Sequence, residues 1–479
     1  MNGIIIDCFA GGGGASQGIE QALHRPVDIA VNHDPQAIRM HKVNHPKTLH
    51  LTEDIFTVDL ERYVSGRHVA LMWASPDCTS HSKAKGGQPR ERGLRILPWA
   101  VYKHARNLLP DVIIMENVEE IQQWGPLDAD GYPIKARAGE DYRKFITAMQ
   151  KLGYDFDCRE LIAADYGAPT TRRRWYAVFR RDGQPIAWPE PTHSRSGLYG
   201  DRWKPCGDYI DWTDPGSSIF GRKKPLADAT MRRIANGVRK YILENPDPYI
   251  APIGEVIAAA YLDKAYGGNY AGCGSDLHSP CGTVTTVDHH RLVTAFLIQY
   301  HAETQANECR GQALSEPVKT IDTSNRYALV SAYLTKFYST GTGQSCSEPL
   351  HTVTATGTHF GLVSAFLIKY YSTGSAQPLT EPVHTIRTHD CFGLVTVPVM
   401  IGGTEYIIAD IFLRMLKPEE LKRMQGFPAD YIIDRDADGK PYPKTQQIAR
   451  IGNSVVPMMA QKLVEANCGD LMAEHQAAG

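Results

Sequence analysis

Short apolar runs alternate with amphipathic stretches through the first part of the chain. Five runs have the length and β-branched composition of buried strands, and they cover residues 3–9, 27–34, 69–75, 111–117 and 174–180. A further strand, the third in chain order, should end at Asp54, so residues 69–75 and 111–117 are the fourth and fifth predicted strands. Residues 15–24 and 97–109 instead carry apolar side chains at helical spacing. Buried strands separated by helices predict a doubly wound, Rossmann-like α/β domain, with a parallel sheet and helices on both faces.

The amino-acid composition changes at about Trp188. Pro, Gly, Ser, Thr and aromatic residues become frequent, and only residues 227–245 keep a helical pattern. A repeated template follows, with prolines spaced 37, 32 and 33 residues apart at positions Pro280, Pro317, Pro349 and Pro382. Each repeat unit reads as two strands with a turn between them. The repeats therefore predict a β-rich platform.

Helical character returns after about Gly403, in residues 417–427 and 454–467. Pro418 with Glu419 and Glu420 has the composition of a helix start. The pattern predicts an α/β domain over residues 1–187, a β-rich insertion over 188–400, and a segment over 401–479.

Charge and cysteine content limit the classes of function. The 51 basic and 53 acidic residues give a net charge of -2, which neither indicates nor excludes a nucleic-acid partner. The ten cysteines show no C-x-x-C pair and no zinc-ligand spacing, so we expect reduced thiols and no metal. His41 and His45 are four residues apart, but the Glu of H-E-x-x-H is absent, so we expect them to be surface residues at a helix end. No stretch has the length of a signal peptide core or a membrane span, which predicts a cytoplasmic protein.

A glycine-rich turn separates the first predicted strand from the first helix in "IIIDCFAGGGGASQGIE". Its spacing fits neither G-x-G-x-x-G nor a P-loop, which disfavours a pyrophosphate ligand. Asp34 and Asp54 follow the second and third strands, at the edge where a nucleoside binds in doubly wound sheets. A flexible turn and two helix-capping acids are the alternative interpretation.

The stretch "SPDCTSHSKAKGG" places Cys78 just after the fourth predicted strand, at the same edge. A thiolate there is a strong nucleophile when nearby positive charge stabilises it. Four cations follow in a glycine-containing segment, at Lys83, Lys85, Arg90 and Arg92. We interpret them as a basic loop that closes over a polyanion, and a solvated charged surface is the alternative.

Glu116 ends the fifth predicted strand, and Arg172 and Arg174 lie at the start of a later strand. A thiol, a carboxyl group, arginines and a nucleoside pocket at one sheet edge suit substitution at C5 of a pyrimidine. A nucleophile adds at C6, an acid at N3 accepts the developing charge, and C5 then accepts a methyl group.

Six stretches in this order resemble motifs of the DNA (cytosine-5) methyltransferases of bacterial or phage type. They are "DCFAGGGG", "SPDCTSHS", "MENV", "APTTRRR", "RMLKPEELKRMQGFPADY" and "IGNSVVP". The resemblance implies S-adenosylmethionine as the methyl donor and a cytosine flipped out of double-stranded DNA. Residues 1–187 would then be the catalytic domain and 188–400 the target-recognition domain, with 401–479 returning to the catalytic domain.

The resemblance also implies a role for individual residues. Cys78 would be the nucleophile at C6, Glu116 the acid at N3, and Arg174 a contact to cytosine O2 that Arg172 supports. The nucleic-acid contacts would be Lys83, Lys85, Arg90 and Arg92. The cofactor contacts would be Phe9, Ala10, Gly11, Gly12, Gly14, His33, Asp34, Asp54, Ile55, Pro76, Asn453 and Ser454.

The expected partner is double-stranded DNA, with a cognate restriction endonuclease that acts separately. A monomer without metal or membrane attachment is expected in the cytoplasm of a bacterial cell or phage-infected host. The chain departs from the family pattern at four positions, Asn32, Asp77, Thr79 and Thr170. An acid beside Cys78 disfavours a thiolate. A catalytically silent DNA-binding relative is therefore one alternative. Methylation of an RNA cytosine is the other, because a related branch with the same chemistry acts on tRNA.

Overall fold

The computed structural model describes residues 3–77, 92–220, 222–253, 256–264, 274–287, 289–299, 333–336, 344–345, 360–362, 366–369, 392–395, 399–401 and 404–471. The chain forms two compact units. Unit 1 contains Met1–Asp214, Leu262–Leu292 and Arg414–Gly479, and unit 2 contains Pro215–Tyr261 and Val293–Leu413.

The described strands are β1 (Ile4–Cys8), β2 (Ile29–Val31), β3 (Leu49–Leu51), β4 (Val69–Ala74), β5 (Val112–Asn117), β6 (Asp155–Ile162), β7 (Arg173–Arg180), β8 (His193–Ser194), β9 (Asp201–Arg202), β10 (Ser217–Ser218), β11 (Ile250–Ile253), β12 (Val256–Lys264), β13 (His290–Gln299), β14 (Tyr333–Lys336), β15 (Gln344–Ser345), β16 (Phe360–Leu362), β17 (Phe366–Lys369), β18 (Phe392–Val395), β19 (Val399–Ile401) and β20 (Thr404–Met415). The described α-helices are α1 (Gly14–Leu23), α2 (Pro35–Asn44), α3 (Leu60–Val64), α4 (Arg92–Arg95), α5 (Leu97–Leu108), α6 (Glu140–Lys151), α7 (Asp228–Val238), α8 (Pro418–Met424), α9 (Lys444–Asn453) and α10 (Pro457–Cys468).

A seven-stranded sheet in the order β3-β2-β1-β4-β5-β7-β6 forms the centre of unit 1. Strands β1 to β5 are parallel, but β7 is antiparallel to both of its neighbours. The prediction of an entirely parallel sheet was therefore wrong at this edge. Residues 163–172 alone connect β6 to β7, and a connection this short cannot hold the crossover that a parallel pair requires.

Both faces of this sheet are covered, because successive side chains of β1 enter different cores. Ile4 and Ile6 join a cluster that includes side chains of α3, α5 and α6, whereas Ile5 joins a cluster with side chains of α1 and α10. Burying each such side chain contributes about 1.5–3 kcal/mol. Helices on both faces confirm the predicted doubly wound α/β fold, and α10 brings the C-terminal segment into its core.

Unit 2 contains the helix predicted between residues 227 and 245. It is α7, which continues as one π-helical turn over Arg239–Leu243. The helix packs through Ile234, Val238 and Ile242 on a cluster that includes side chains of β12, β13 and β20. The prediction of a helix in this otherwise β-rich region is confirmed.

The predicted repeats are only partly tested, because Pro317, Pro349 and Pro382 lie outside the described residues. Strands β14 and β16 to β18 fall within the later repeats. The first repeat was expected to hold two strands, and that prediction was wrong in its first half. Residues 282–287 form no strand, because the chain there follows loops of unit 1, beginning with a single bridge from Thr170 to Cys281.

The compact units have bounds that differ from the predicted divisions at residues 187/188 and 400/401. Backbone hydrogen bonds explain why part of the predicted insertion belongs to unit 1. Thr171 donates to Cys281 at 2.8 Å, Cys206 donates to Ser279 at 2.9 Å, and Gly207 donates to Leu277 at 3.0 Å. These bonds hold residues 206–207 and 277–281 against the loop that precedes β7.

Two of the three helices that the structure describes in the C-terminal segment were predicted. Pro418 is the first residue of α8, and α10 begins at Pro457. Helix α9 was not predicted. Within the described part of the chain, no helix has the length and hydropathy needed to cross a bilayer.

Candidate active site

The carboxyl ends of four parallel strands are joined by backbone hydrogen bonds beyond the strands themselves. Ala10 N donates to Val31 O at 3.0 Å and Asn32 N donates to Leu51 O at 3.1 Å. Ser75 N donates to Cys8 O at 3.3 Å. The predicted cofactor segments therefore meet at one edge, where the strand order reverses between β1 and β4. In doubly wound sheets this is the position of the ligand crevice.

The glycine turn at this edge depends on backbone conformations that favour glycine. Gly11 has a φ of 50° and Gly13 a φ of 89°, while Phe9 adopts a φ of 65°. Among the described residues, a Cβ on Gly11 would contact only the Phe9 carbonyl oxygen, at 3.6 Å. Bare backbone at Gly11 leaves room for a ligand, so the turn fits a nucleoside-type group.

Gly12 and Gly14, which the sequence assigned to the cofactor, contact the C-terminal segment. Gly14 N donates to Ser454 Oγ at 3.0 Å, and Tyr431 Oη donates to Gly12 O at 2.7 Å. A Cβ on Gly14 would lie 2.1 Å from the carbonyl oxygen of Val455. The glycines therefore let the C-terminal segment approach the start of α1. Ser454 is buried there, whereas Asn453 is exposed.

The two acids of this edge cap local structure. Asp34 accepts a hydrogen bond from Gln36 N at 2.8 Å at the start of α2 and forms an ion pair with Arg450. Asp54 is exposed and accepts a hydrogen bond from Phe56 N at 2.8 Å. Both acids thus do what the alternative interpretation expected, and a cofactor contact for either one stays a prediction.

The remaining predicted cofactor residues differ in accessibility. His33 is exposed, and Ala10, Ile55 and Pro76 are buried. The Ile55 side chain lies in the core, and its carbonyl oxygen accepts a hydrogen bond from His104 Nε2 at 2.8 Å. Ile55 therefore has little side-chain surface to offer a ligand.

Glu116 and Arg174 form an ion pair at the neighbouring part of the edge. Arg174 Nε lies 3.1 Å from Glu116 Oε1, and both side chains are largely buried. The register pairs Glu116 in β5 with Tyr176 in β7, so Arg174 stands two residues along the adjacent strand on the same face. The structure therefore brings together the two residues that the sequence proposed as acid and cytosine contact.

Arg172 precedes β7 and serves the surrounding backbone. Its guanidinium is buried and donates to Val284 O at 3.2 Å and to Gly452 O at 3.1 Å. Gly452 directly precedes Asn453 at the end of α9, so Arg172 holds the C-terminal end of the helix at which the predicted pocket residues Asn453 and Ser454 lie. Its supporting role is consistent with these contacts and stays a prediction.

Asn117 is a residue that the sequence reasoning passed over. Its Nδ2 donates to Pro76 O at 3.0 Å, and its Oδ1 accepts from Val118 N at 2.9 Å. The bond ties the end of β5 to the chain two residues before Cys78. The motif "MENV" contained this signal, because Asn directly follows the acid there.

The predicted nucleophile and most of the predicted basic loop lie outside the described residues. This applies to Cys78, Lys83, Lys85 and Arg90. Arg92 is the first residue of α4, and its side chain is also outside the described set. Their predicted roles stay predictions.

A buried polar cluster lies beneath the glycine turn, and we call Asp7, Ser16, His41, His45 and His50 the histidine cluster. Ser16 Oγ donates its one hydrogen to Asp7 Oδ2 at 2.7 Å. His41 Nε2 lies 2.9 Å from Ser16 Oγ and must therefore donate to it. His50 Nε2 then donates to His41 Nδ1, 2.9 Å away. The bonds run in one direction, from half-buried His50 to fully buried Asp7.

His41 and His45 were predicted to be surface residues at a helix end, and that prediction was wrong. Both are buried, and polar groups of other elements lie close to their ring nitrogens. His45 Nε2 lies 3.2 Å from Tyr431 Oη, and Glu20 Oε1 lies 3.0 Å from His45 Nδ1. Among the described residues, no group of three or more His, Cys, Asp or Glu side chains could hold a metal ion.

Asp7→Asn is expected to gain stability relative to the wild type as the pH rises. Burial raises the pKa of Asp7 from 3.8 to about 7, so the folded chain keeps a proton that the unfolded chain releases. The contribution of Asp7 to the free energy of unfolding is at its full value below pH 3.8 and is lost as the pH rises through 7. Between these limits the ratio of the unfolding constants should change by about tenfold per pH unit.

Urea unfolding of both proteins between pH 5 and about 8 measures this change. Asp59→Asn, at the exposed cap of α3, is the matched control and should parallel the wild type. Burial also lowers the pKa of His50 to about 4 and that of His41 well below 6.5, so protonation of the histidines destabilises every variant as the pH falls. If the difference in unfolding free energy between Asp7→Asn and the wild type does not change with pH, the pKa of Asp7 is not raised by burial.

Comparison with known proteins identifies the family. Residues 4–199 and 342–468 match the sequence model of the C-5 cytosine-specific DNA methylases, which is more than half of the chain. The type II methyltransferase M1.HphI of Haemophilus parahaemolyticus is 28% identical over 202 residues, which cover 41% of this chain and 50% of that protein. M.AquIA of Picosynechococcus is 28% identical over 214 residues, covering 42% of this chain and 84% of that protein.

The matched region thus spans only half the length of the first of these relatives. Among solved structures, a putative DNA modification methyltransferase encoded within an E. coli prophage aligns with 98% of this chain and 100% of its own, at a TM-score of 0.46 and 14% identity. On the family match, the chain belongs to the C-5 cytosine-specific DNA methylase family.

Proposed function

We propose that this chain transfers a methyl group from S-adenosylmethionine to C5 of a flipped-out cytosine in double-stranded DNA. The observation that carries the proposal is the Glu116–Arg174 ion pair of 3.1 Å at the end of β5. The bond from Asn117 to Pro76 ties this strand end to the segment that enters Cys78. The acid, the guanidinium and the segment that leads to the Cys78 thiol therefore lie at the same sheet edge as the glycine turn.

The proposed reaction uses Cys78 as a nucleophile. Its thiolate forms a bond to C6, and the electrons of the C5–C6 double bond make C5 reactive. Glu116 supplies a proton at N3 while the charge develops. S-Adenosylmethionine, when bound, supplies an electrophilic methyl group to C5 and is left as the neutral thioether S-adenosylhomocysteine. The C5 proton then passes to water as the bond between Cys78 Sγ and C6 breaks, N3 returns its proton to Glu116, and the thiolate and the aromatic ring are restored.

Arg174 has two functions in this proposal. Its Nε is committed to Glu116, which holds the carboxyl group in one orientation. A guanidinium has five N–H donors in a fixed plane, so the same side chain also has donors for cytosine O2. The ion pair thus aligns the acid with the pyrimidine edge that it must protonate.

The cofactor would bind along the glycine turn and the ends of β2 to β4. Phe9, at the turn, would pack on the adenine, and Gly11 offers backbone without a side chain in the way. His33, Asp34 and Asp54 lie at the neighbouring strand ends. The C-terminal segment would close the pocket through Asn453 and Ser454, since Ser454 already contacts the start of α1.

The proposed partner is DNA, in the cytoplasm of a bacterial cell or phage-infected host. The curated relatives are named type II methyltransferases, which supports DNA as substrate and a cognate endonuclease that acts separately. A monomer suffices, because the proposed acid, arginines and glycine turn come from one chain. Lys83, Lys85, Arg90 and Arg92 would contact the DNA backbone.

Methyl transfer from tritiated S-adenosylmethionine tests the proposal directly. The purified full chain is offered duplex DNA and, in parallel, transfer RNA, and bisulfite sequencing locates the methylated base. We expect label in DNA at cytosines of one fixed sequence, and none in matched DNA whose cytosines are already 5-methylated. Label in RNA alone would replace DNA by RNA as the substrate, and label in neither would leave a silent relative.

A further inference from the structure

The Tyr431 side chain joins the C-terminal segment to the glycine turn. It is buried, and its hydroxyl donates to Gly12 O at 2.7 Å. Gly13 has no room for a side chain, because a Cβ there would lie 2.1 Å from Tyr431 Oη and 2.9 Å from His45 Nε2. The hydroxyl therefore lies directly against the turn, and its bond to Gly12 O holds the turn in the conformation that the structure shows.

Two acceptors compete for the single hydrogen of the Tyr431 hydroxyl. Burial raises the pKa of this hydroxyl well above its ordinary value, so the hydrogen is retained. Gly12 O is an acceptor in every state, whereas His45 Nε2, 3.2 Å from Tyr431 Oη, is a donor or an acceptor. When Nε2 carries a hydrogen, it donates to Tyr431, and the hydroxyl hydrogen goes to Gly12 O. When Nε2 carries none, it accepts that hydrogen, and Gly12 O loses its donor.

Glu20 of α1 determines which nitrogen of His45 keeps the last proton. Its Oε1 lies 3.0 Å from His45 Nδ1, in an ion pair whose histidine side chain is fully buried. A carboxylate stabilises a hydrogen on the nitrogen that faces it and disfavours a lone pair there. With two protons, His45 therefore donates to Tyr431 from Nε2. With one proton, His45 keeps it at Nδ1 beside Glu20, and the tyrosine hydrogen moves from Gly12 O to Nε2.

The other titratable groups that face His45 belong to the histidine cluster. The His41 ring lies 4.4 Å from the His45 ring, and Asp7 and His50 interact with His45 electrostatically, with Lys42 adding a positive charge beside His50. Burial lowers the pKa of His50 to about 4 and that of His41 well below 6.5, so both are neutral near pH 7. Burial raises the pKa of Asp7 to about 7, so the effects of Asp7 and His45 must be separated by experiment.

We propose that His45 is a positioning residue for the glycine turn, and that the turn binds the cofactor more tightly when His45 carries two protons. With Gly12 O bound to Tyr431, the turn keeps one conformation. Without this bond, only part of the population has that conformation, and the apparent dissociation constant of S-adenosylmethionine rises accordingly. The inference rests on the proposed function for the identity of the ligand, and it adds control of that site by pH.

Calorimetric titration of the full chain with S-adenosylmethionine between about pH 5 and 8 tests the inference. Tyr431→Phe removes the shared hydrogen. At the lower end of the range it should bind about threefold to tenfold more weakly than the wild type, the effect of one hydrogen bond. At the upper end this difference should disappear, because the wild-type hydroxyl then serves His45. Asp7 and the cofactor itself titrate in both proteins, so their effects cancel in the ratio of the dissociation constants.

Glu20→Gln should have the opposite phenotype. A glutamine amide donates to His45 Nδ1, so the last imidazole hydrogen stays at Nε2. Only this arrangement gives a partner to Gly12 O, to the Tyr431 hydroxyl and to both nitrogens of His45. The variant should match the wild type at the lower end of the pH range and bind more tightly than it, by the same factor, at the upper end. A merely structural role for Glu20 predicts weaker binding at both ends.

Tyr442→Phe is the matched control, because Tyr442 belongs to the same segment and its hydroxyl also donates to a backbone carbonyl, Gln36 O, at 3.5 Å. Its effect on the dissociation constant should be the same at every pH. If the effect of Tyr431→Phe is also the same at every pH, or if Glu20→Gln binds more weakly than the wild type throughout, the inference is wrong.

Hydrogen exchange of a peptide covering residues 9–16 gives a second readout, in the cofactor-free chain. Compared at equal pH, Glu20→Gln should exchange like the wild type at the lower end of the range and more slowly than the wild type at the upper end. Equal exchange at both ends overturns the inference. If the wild type does not bind S-adenosylmethionine at any pH, the proposed function fails, and the exchange comparison still decides whether His45 controls the turn.

Discussion

Glutamine in place of Glu116 is expected to lower the rate of methyl transfer to cytosine by about 10²–10⁴-fold, the contribution of a positioned general acid. Glutamine keeps the shape of the side chain and still accepts a hydrogen bond from Arg174. It cannot deliver a proton to N3, however, so negative charge on the ring develops without compensation. The fold should be retained, because an amide at the same buried position still has its guanidinium partner.

Single-turnover methylation of duplex DNA measures this rate, with cofactor and DNA dissociation constants determined separately. Cys78→Ser, which lacks the proposed nucleophile, gives the background methylation rate of the assay. Glu160→Gln is the matched control. Glu160 in β6 forms an ion pair with Arg173 of β7 at 3.8 Å, and both residues are exposed. Arg173 directly precedes Arg174, so the control removes a carboxylate beside the same strand but outside the proposed site. If Glu116→Gln reacts at the rate of Glu160→Gln, Glu116 is not the acid, and the proposed mechanism is wrong.

The strands that place Glu116 were predictable because each is a continuous apolar run. Strand β5, for example, contains Val-Ile-Ile-Met before its acid, and all six of its residues are buried. Strand β6 escaped prediction for the opposite reason. It forms the edge of the sheet and alternates polar with apolar residues, so only Leu161 of its eight residues is buried. A search for buried runs therefore finds the centre of such a sheet and misses its edge.

Residues of the site could be predicted only where the residues next to them in the sequence identify them. Glu116 and the glycine turn are recognised from their neighbours along the chain. The burial of His45 depends on Tyr431, which is 386 residues away, and on Glu20 from another helix. Arg450 likewise reaches Asp34 from the far end of the chain. Polar groups that satisfy one another across long separations leave no periodic signal, so the sequence placed His45 at the surface.

Gly14→Ala is expected to cost about 3 kcal/mol or more of unfolding free energy. The added Cβ would lie 2.1 Å from Val455 O and 2.2 Å from Ser454 Oγ. A backbone carbonyl cannot rotate away as a flexible side chain can, so the C-terminal segment must withdraw from α1. Affinity for S-adenosylmethionine should fall with it, since Asn453 and Ser454 would leave the proposed pocket.

Two further variants separate the steric cause from loss of the Ser454 hydrogen bond. Ser454→Ala alone should cost only about 1–3 kcal/mol, because it leaves one buried N–H without its partner. Added to Gly14→Ala it should not restore stability, because the Val455 carbonyl still blocks the new Cβ. Gly12→Ala is the matched control, since its Cβ would approach Arg450 O no closer than 3.1 Å and needs only a slight adjustment. Urea unfolding and calorimetric titration with S-adenosylmethionine give both quantities for each variant. Equal stability of Gly14→Ala and Gly12→Ala would mean that the C-terminal segment does not rest on the glycine turn, and the pocket would then have to be completed by other residues.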